Sequence, residues 1–377
     1  MKILITGAHF TPAIAVIEEF KKQDPLVEIV YVGRGTTQEG DKTKSIESEV
    51  LPKLGVKFIS IITGRLQRSF TLYTIPSLLK IPVGFAQGFF IILKEKPDVI
   101  LSFGGYVAIP LVVIGWLFSI PIIVHEQTLV SGLANKISSF FADKIAVSFE
   151  GNSFKGGKVV LTGNPIREEI VQISLGVQPA CRQAGLVHIG GVSKLPSILV
   201  MGGNQGSHSI NLLIEACLQK LLKIAHIYHQ TGDSKYMDFE RLQRLESSKP
   251  SGGNYTVRKW FGSDYAEVLQ KADLVISRAG INTLTELAYL AKPALVIPIP
   301  YLYQDEQVKN AKFFEKLGLT AIINQSNLSS ESLFEKVKFM LKNIDSIKEK
   351  AKFAKSVVIY DAAKRLVLET LLLAGRV

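Results

Sequence analysis

Three glycine-rich turns directly follow predicted strands, at places where a helix should begin. They are GAHFTP at 7–12, GGY at 104–106 and GGNQGS at 202–207. Glycine lets backbone N–H groups and a helix N-terminus approach an anion closely, which holds a phosphate without a dedicated cation. Glycine also serves tight turns, so one such junction is weak evidence. Three of them, each at the same place relative to its strand, predict a phosphorylated ligand.

Two common nucleotide-binding motifs are absent. Gly7 is followed by Ala8 and His9 rather than by the spacing G-x-G-x-x-G, no acidic residue ends the second strand, and no P-loop ending in Gly-Lys-Ser/Thr occurs. There is no cluster of acidic residues for a magnesium-held nucleotide, and Cys181 and Cys217 have no metal-ligand spacing. We therefore expect no metal and no cofactor, and a phosphate site built from backbone and a few basic side chains.

Composition limits the class of protein. The 377 residues carry 44 Lys and Arg against 33 Asp and Glu, and 47% of them are hydrophobic. This excludes a disordered or highly charged chain, and the length predicts two domains. A net charge of +11 with a mean hydropathy of +0.24 favours an anionic ligand or a membrane surface. We expect no nucleic-acid partner, because the chain lacks a basic stripe interleaved with aromatic residues and any known reading motif.

Short strand patterns alternate with helical patterns in both halves, which predicts an α/β fold of two doubly wound parallel-sheet domains. Because open α/β sheets bind ligands at the carboxyl ends of their strands, we expect the site in a cleft between the domains. The predicted domains are 1–168 and 196–355, joined by a linker at 169–195, with a C-terminal helix at 356–377 returning to the first domain. The predicted strands are 2–6, 29–32, 56–62, 99–102, 121–124, 144–147, 197–201, 224–230, 255–259, 274–277, 294–297 and 321–323.

Two apolar stretches bear on membrane association. The uncharged window 107–124 is divided by prolines, so we interpret it as a buried helix at 111–119 and a strand at 121–124 rather than a membrane span. Residues 71–95 combine many apolar side chains with Lys80 and Lys94 and follow Arg65 and Arg68, which is typical of a surface that docks on an anionic membrane, although core helices share this pattern. The N-terminus lacks the apolar core of a signal peptide, so we expect no export.

Seven ordered strings carry a resemblance to a known family. They are TGAHFTPA (6–13), GGYV (104–107), HEQ (125–127), GNPIR (163–167), GGNQGS (202–207), SRAG (277–280) with Glu286, and DEQVKNA (305–311). In this order they resemble the MurG family, part of glycosyltransferase family 28. Three positions depart from its common pattern: Ala8 stands where glycine is usual, Thr128 where asparagine is usual, and Asn204 where serine is common.

The resemblance implies a GT-B fold and an inverting, metal-independent transfer. N-acetylglucosamine would move from UDP-N-acetylglucosamine to the C4 hydroxyl of lipid I, the undecaprenyl-diphosphate-linked N-acetylmuramoyl pentapeptide, giving lipid II and UDP in peptidoglycan synthesis. The enzyme would be peripheral, at the cytoplasmic face of the cell membrane, with other cell-wall enzymes as further candidate partners. The alternatives are another GT-B enzyme, such as a glycolipid glycosyltransferase or a UDP-sugar 2-epimerase, and an inactive scaffold of the cell-wall machinery.

The resemblance also implies site residues. Donor contacts fall on Thr11, Thr128, Arg167, Asn204, Gln205, Thr283, Glu286, Glu306, Gln307 and Asn310, and acceptor diphosphate contacts on Gly7, Ala8, His9, Gly104, Gly105 and Tyr106. An interdomain salt bridge for Arg167, a capping role for Glu286 and a solvated helix face for Gln307 and Asn310 remain open. His9 is a candidate base because imidazole titrates near neutrality, with donation to the diphosphate as its alternative. Glu126 is a second candidate base or an orienting residue.

Overall fold

The structure is a computed structural model that describes residues 1–36, 45–64, 74–176, 195–203, 206–233, 236–247, 254–262 and 264–375. The chain divides into two compact units: unit 1 comprises Met1–Arg167 with Ile359–Val377, and unit 2 comprises Glu168–Val358. Each unit contains one sheet in which every strand pairing is parallel. The predicted α/β class with two parallel sheets is therefore confirmed.

Unit 1 has a seven-stranded sheet of order β3-β2-β1-β4-β5-β6-β7. Its strands are β1 Lys2–Thr6, β2 Glu28–Gly33, β3 Lys57–Ser60, β4 Val99–Ser102, β5 Ile122–Glu126, β6 Lys144–Val147 and β7 Val159–Leu161. Its helices are α1 Phe10–Gln23, α2 Ile46–Val50, α3 Thr74–Glu95, α4 Ile109–Leu117, α5 Leu133–Ser139 and α14 Ala362–Leu373.

Local sequence explains the centre of unit 1. Strands β1, β4 and β5 are short apolar runs buried on both faces, as expected for the middle of a parallel sheet covered by helices. Helix α4 has a proline in its first turn, where no backbone hydrogen bond is lost. Gly115 lets this helix pack closely on β4, because a Cβ on Gly115 would lie 2.2 Å from Ile100 Cδ1. The uncharged window 107–124 thus folds as a helix and a strand, as predicted, but Trp116 and Leu117 at the end of the helix are exposed.

Unit 2 has a six-stranded sheet of order β10-β9-β8-β11-β12-β13. Its strands are β8 Ser197–Met201, β9 His226–Gln230, β10 Tyr255–Arg258, β11 Leu274–Ser277, β12 Ala294–Val296 and β13 Thr320–Ile322. Its helices are α6 Glu168–Ser174, α7 His208–Leu221, α8 Asp238–Ser247, α9 Tyr265–Lys271, α10 Ile281–Tyr289, α11 Glu306–Lys316, α12 Ser330–Lys342 and α13 Ile344–Ala351.

Both sheets reverse their strand order at one point, between β1 and β4 in unit 1 and between β8 and β11 in unit 2. In doubly wound sheets the crevice outside the carboxyl ends of these strands is the preferred ligand position. The glycine turns at 7–12 and 104–106 follow β1 and β4, and the turn at 202–207 follows β8. Topology therefore places each glycine turn at a switch point.

The structure differs from the sequence-based expectations in two places. Strand β7 was not predicted, because three residues after a Lys- and Gly-rich stretch give no detectable period. The predicted linker 169–195 begins with helix α6, which packs on α9, and residues 177–194 lie outside the described part of the chain. The predicted C-terminal helix at 356–377 corresponds to α14, which packs on α1 of unit 1 and is preceded by a 3-10 segment, Lys352–Val357.

A buried hydrogen-bond chain ties α7, β9 and α8 together in unit 2. The Tyr255 hydroxyl lies 3.0 Å from His229 Nδ1, and His229 Nε2 lies 3.0 Å from Asn211 Oδ1. The Asn211 amide donates to Asp238 Oδ2 (2.8 Å) and to the Thr231 carbonyl. Because Asn211 Oδ1 can only accept a hydrogen bond, His229 donates to it through Nε2 and accepts from the Tyr255 hydroxyl through Nδ1.

The buried imidazole should make unit 2 sensitive to acid. Burial lowers the pKa of His229 from 6.5 to about 3, so its contribution to stability is present above pH 6.5 and is lost as the pH falls towards 3. Between pH 7 and pH 5, the free energy of unfolding of the parent protein should fall. We expect that of a His229→Gln variant to fall by roughly 2 kcal/mol less over the same interval. Urea titration measures this difference when both proteins also carry Trp116→Phe, so that Trp260 is the one tryptophan that reports unfolding. An equal dependence of the unfolding free energy on pH in the two proteins would contradict the prediction.

Candidate functional site

The two glycine turns of unit 1 touch each other. The Ala8 N–H donates to the Gly104 carbonyl (3.1 Å), and a Cβ on Gly7 would lie 2.8 Å from the Phe103 backbone. Gly105 has a φ of +83°, and a Cβ there would lie 2.8 Å from the Ala8 methyl group. The turn accommodates Ala8 because no positive φ is needed at that position. The predicted diphosphate residues are thus brought together at the switch point.

His9 is the residue before α1, and its side chain makes no capping hydrogen bond with that helix. Burial, with a smaller contribution from the positive charge of Arg34, lowers the pKa of His9 to about 4. Arg34 follows β2, and its guanidinium lies 6.0 Å from the centre of the Tyr106 ring. The imidazole is therefore neutral at pH 7 and able to accept a proton.

Sequence reasoning gave Arg34 no role. The only available signal was the position after the second strand, where a dinucleotide-binding sheet would have an acidic residue. Parallel pairing of β1 and β2 brings this arginine beside the glycine turn at 7–12. The cation therefore lies where an anionic ligand of the turn would meet it.

Glu126 ends β5 and is buried, and its carboxylate holds the loop that follows. One oxygen accepts from the Thr128 N–H (3.0 Å) and hydroxyl (2.8 Å), and the other from the Gly132 N–H (3.1 Å) and the Asn135 amide (3.0 Å). Burial raises the pKa of Glu126, whereas these hydrogen bonds lower it. All four of these donors come from the residues that follow β5, so the carboxylate holds this loop.

Two buried amide oxygens near this loop have no hydrogen-bond partner within the described residues. They are Gln127 Oε1 and Asn135 Oδ1, whose amide nitrogens donate to the carbonyls of Phe103 and His125. A Cβ on Gly104 would lie 2.4 Å from Asn135 Oδ1, so this oxygen borders the glycine turn. Buried polar atoms without partners are uncommon in proteins and suit a ligand with hydroxyl or amide donors.

The remaining predicted residues of unit 1 are dispersed along its chain. Thr11 lies in the first turn of α1 and is half-buried. Arg167, the last residue of the Met1–Arg167 segment of unit 1, is also half-buried. The Thr128 hydroxyl lies 2.8 Å from Glu126 Oε1 and 2.6 Å from the Val130 carbonyl, so it serves the loop. His125 donates through Nε2 to the Gly163 carbonyl (3.0 Å), and burial lowers its pKa to about 4.

The glycine turn of unit 2 shows why small residues are required there. A Cβ on Gly202 would lie 2.2 Å from the Ser207 N atom, and one on Gly206, which has a φ of +74°, would lie 1.9 Å from the Thr231 carbonyl oxygen. The turn leads into α7, whose first residue is His208. The predicted donor contacts Asn204 and Gln205 lie outside the described residues.

Arg278 follows β11 at the switch point of unit 2 and is buried. Its guanidinium donates to the Ser207 (3.2 Å) and Ser209 (2.6 Å) hydroxyls, to the Ile297 carbonyl (2.9 Å) and to Gln325 Oε1 (3.1 Å). Burial lowers its pKa, but a guanidinium stays charged. All four partners are neutral, so its charge remains available to attract an anion at the glycine turn. The motif contained this residue, but its sequence position did not reveal these contacts.

Glu286 is buried within α10, where its Oε2 accepts from the Tyr265 hydroxyl (3.3 Å). It is the sixth residue of the helix, beyond the first turn whose N–H groups need caps, so the capping alternative does not fit. Thr283 lies one turn earlier and is half-buried. A buried carboxylate can accept two hydroxyl groups of one ligand.

Helix α11 begins after two non-glycine residues in the left-handed region, Gln304 (φ 50°) and Asp305 (φ 54°), a strained backbone that is typical of functional sites. In its first turn, Gln307 Oε1 accepts from the Ile299 N–H (3.0 Å) beside Glu306. Asn310 is fully buried and donates to the Ala279 carbonyl (3.3 Å). The alternative of a solvated helix face is therefore wrong for Asn310.

An exposed apolar surface covers α3 and the end of α4. We call it the α3–α4 surface and define it by Ile75, Leu78, Leu79, Val83, Phe89, Phe90, Leu93, Trp116, Leu117 and Phe118. Leu79 and Phe90 are 69% and 67% exposed. Residues Ser77–Glu95 are apolar and long enough to cross a membrane, which is weak evidence from one helix. The predicted cations Arg65 and Arg68 lie outside the described residues.

The fold and the site together define a class. Two doubly wound parallel sheets, each with a glycine turn at its switch point, form the GT-B glycosyltransferase architecture. Within the described residues, no group of three or more His, Cys, Asp or Glu side chains is placed to hold a metal ion. Residues 6–147 match the Glycosyltransferase family 28 N-terminal domain and residues 197–366 match the Glycosyltransferase family 28 C-terminal domain. The chain belongs to glycosyltransferase family 28.

Individual relatives agree along nearly the whole chain. It is 34% identical over 354 residues to the UDP-N-acetylglucosamine--N-acetylmuramyl-(pentapeptide) pyrophosphoryl-undecaprenol N-acetylglucosamine transferase of Legionella pneumophila strain Paris, covering 93% of this chain and 90% of the relative. The protein of that name from Bacillus cytotoxicus is 34% identical, with 97% of each chain covered. The crystal structure of Acinetobacter baumannii MurG superposes with a TM-score of 0.67 at 25% identity, covering 98% of this chain and 99% of that one.

Proposed function

We propose that this enzyme transfers N-acetylglucosamine from UDP-N-acetylglucosamine to the C4 hydroxyl of lipid I, producing lipid II and UDP with inversion and without a metal ion. The observation that carries the proposal is the identity of 34% over 97% of the chain to a transferase with this named reaction. The fold alone would also suit other GT-B enzymes. The site residues support the proposal because both units offer sites for anions.

Unit 2 supplies donor recognition in this proposal. The turn at 202–207, the N-terminus of α7 and the Arg278 charge stabilise the UDP diphosphate as it leaves. Glu286 accepts the two ribose hydroxyls, and Gln307 with Glu306 contacts the sugar. Asn310 remains a proposed donor contact, and its amide also donates to the Ala279 carbonyl. Asn204, Gln205 and Thr283 remain proposed donor contacts from the family resemblance, as do Thr11, Thr128 and Arg167 of unit 1.

Unit 1 supplies the acceptor site. The turn of Gly7 and Gly105, with Ala8, Gly104 and Tyr106 beside them, receives the lipid diphosphate near Arg34. The Ala8 N–H holds this turn by its bond to the Gly104 carbonyl. Neutral His9 removes the proton from the C4 hydroxyl while that oxygen attacks the anomeric carbon. The bond between the anomeric carbon and the UDP oxygen breaks, and its electron pair leaves with UDP. Glu126 acts as a positioning residue that fixes the loop bearing Gln127.

The experiment is UDP release by purified protein with UDP-N-acetylglucosamine and a soluble lipid I analogue, omitting each in turn, with and without EDTA. We expect release that requires both substrates and is unchanged by EDTA. UDP formed without acceptor would instead support an epimerase or hydrolase, and release with other lipid acceptors would support a different glycolipid enzyme. Donor binding with no turnover under any condition would support the inactive scaffold.

We also propose that the α3–α4 surface docks on the cytoplasmic face of the cell membrane as a peripheral contact. Apolar side chains enter the interface while Lys80 and Lys94 meet anionic headgroups. We expect the double variant Leu79→Glu, Phe90→Glu to bind anionic lipid vesicles about tenfold more weakly in co-sedimentation, because two apolar side chains are lost from the contact. The matched control is Leu26→Glu, at an 88% exposed leucine outside this surface. Equal binding of both variants would contradict the proposal.

A further inference from the structure

One cation lies beside both glycine turns of unit 1. Arg34 is the first residue after β2, and Thr6 at the end of β1 pairs with Val32, two residues before it. Its guanidinium lies 6.0 Å from the centre of the Tyr106 ring, in the turn after β4. Burial lowers the pKa of His9, in the turn after β1, and the charge of Arg34 adds to this effect. One side chain therefore adjoins a residue of each turn.

The charge of Arg34 has no counter-ion among the described residues. Arg34 is half-buried, and its guanidinium makes no ion pair or hydrogen bond within these parts of the chain. Burial and the negative charge of Glu47, on α2, raise the pKa of the Tyr31 hydroxyl, whereas Arg34 lowers it. Glu47 therefore acts on the same neighbourhood without pairing with Arg34. The Tyr106 ring contacts the guanidinium at the outer limit of a cation–π interaction, which leaves the N–H donors for a ligand.

The backbone N–H groups of the two turns are partly engaged inside the protein. The Ala8 N–H donates to the Gly104 carbonyl (3.1 Å), and the Gly104 N–H donates to the Ser102 hydroxyl (3.2 Å). Pro12 lies in the first turn of α1 and has no N–H, so this helix start offers one donor fewer. A diphosphate diester carries a negative charge on each phosphate. The remaining N–H groups suit one phosphate, and the second charge needs a side-chain cation.

We propose that Arg34 binds one of the two phosphates of the lipid acceptor, while the remaining N–H groups of the turns at 7–12 and 104–106 bind the other. The inference deepens the proposed function and rests on it. A guanidinium matches a phosphate through paired N–H···O bonds, and these bonds are stronger where water is partly excluded. Arg34 thereby selects acceptors whose sugar is joined to the lipid by a diphosphate over those joined by a monophosphate.

This binding role is separate from the effect of Arg34 on His9. At pH 7 the imidazole is neutral with or without the arginine, because burial is the larger cause of its low pKa. Loss of Arg34 should therefore raise the KM for the acceptor and leave kcat unchanged at this pH. A general disturbance of the fold would instead lower kcat or raise the KM for both substrates.

The kinetic test uses two soluble acceptor analogues with the same sugar, peptide and short prenyl chain, joined by either a diphosphate or a monophosphate. In Arg34→Met we expect the KM for the diphosphate acceptor to rise about 10- to 100-fold, the usual effect of losing one hydrogen bond to a charged group. The KM values for the monophosphate acceptor and for the donor should not change. Arg34→Lys keeps the charge but not the paired donors, so its KM should lie between those of the parent and Arg34→Met.

The matched control is Arg365→Met, which removes the same side chain from α14, where it is exposed and pairs with Asp361. This variant changes the net charge by the same amount, so it controls for the long-range attraction of an anionic acceptor. We expect no change in the KM for either acceptor. KM values raised equally for both acceptors in Arg34→Met, or raised as much in Arg365→Met, would overturn the proposal.

A binding measurement separates this inference from the proposed function. Dimethylallyl diphosphate and dimethylallyl phosphate are titrated by calorimetry into the parent and Arg34→Met, with saturating UDP to fill the unit 2 site and EDTA to remove divalent cations. We expect Arg34→Met to bind the diphosphate about tenfold more weakly and the monophosphate equally well. If this difference appears but UDP release fails, the Arg34 site stands and the proposed transfer is wrong. If UDP release succeeds and both proteins bind the diphosphate equally, the inference about Arg34 is wrong.

Discussion

Replacing His9 by alanine is expected to lower kcat about 10²- to 10⁴-fold, with little change in the KM for either substrate. This is the usual contribution of a positioned general base. The imidazole follows the first strand at the unit 1 switch point, and its pKa of about 4 keeps it neutral at pH 7. Measured initial rates with both substrates varied would separate kcat from KM. A raised acceptor KM with unchanged kcat would instead make His9 a donor to the diphosphate.

The pH profile provides a second test of the same residue. The neutral imidazole is the active form, so kcat/KM should be constant above pH 5 and fall as the pH drops through about 4. Removing the nearby charge with Arg34→Met should raise the pKa of His9 and move this limb to higher pH. The shift should be partial, because burial is the larger cause of the low pKa. An unmoved limb would indicate that another group titrates.

Replacing Glu286 by alanine is expected to raise the KM for UDP-N-acetylglucosamine about 10- to 100-fold. The loss of one hydrogen bond to a charged group costs about 1.5–3 kcal/mol, which corresponds to roughly this range. Glu286 is 3% exposed, so its side chain lies in the low-dielectric interior, where an unmade hydrogen bond is costly. Steady-state kinetics at saturating acceptor measure the change.

Two matched variants make the Glu286 test specific. Tyr265→Phe removes the hydroxyl that donates to Glu286 but keeps the carboxylate, so we expect a much smaller change in donor KM. Glu267→Gln alters an exposed carboxylate paired with Lys271 and should have no effect. A donor KM unchanged in Glu286→Ala, or raised equally by Glu267→Gln, would remove Glu286 from the donor site.

Much of the fold follows from local patterns. Buried apolar runs such as residues 2–6 and 197–201 identify strands because central parallel strands are covered on both faces. The prolines that divide 107–124 separate a helix from a strand for a local reason as well. Strand β7 escaped detection because its residues at the sheet edge are only partly buried and give no clear hydrophobic period.

The sequence by itself determined the family, the two-sheet fold and the glycine turns, because these depend on residue type and local order along the chain. Tertiary structure decided what surrounds each candidate site residue. Glu126 accepts hydrogen bonds from four donors of the loop after β5, and Arg278 is a charged group among neutral partners. Arg34 adjoins His9 because parallel strand pairing brings together residues that are far apart in sequence. Charge, burial and available hydrogen bonds depend on such neighbours, and no single stretch of sequence contains them.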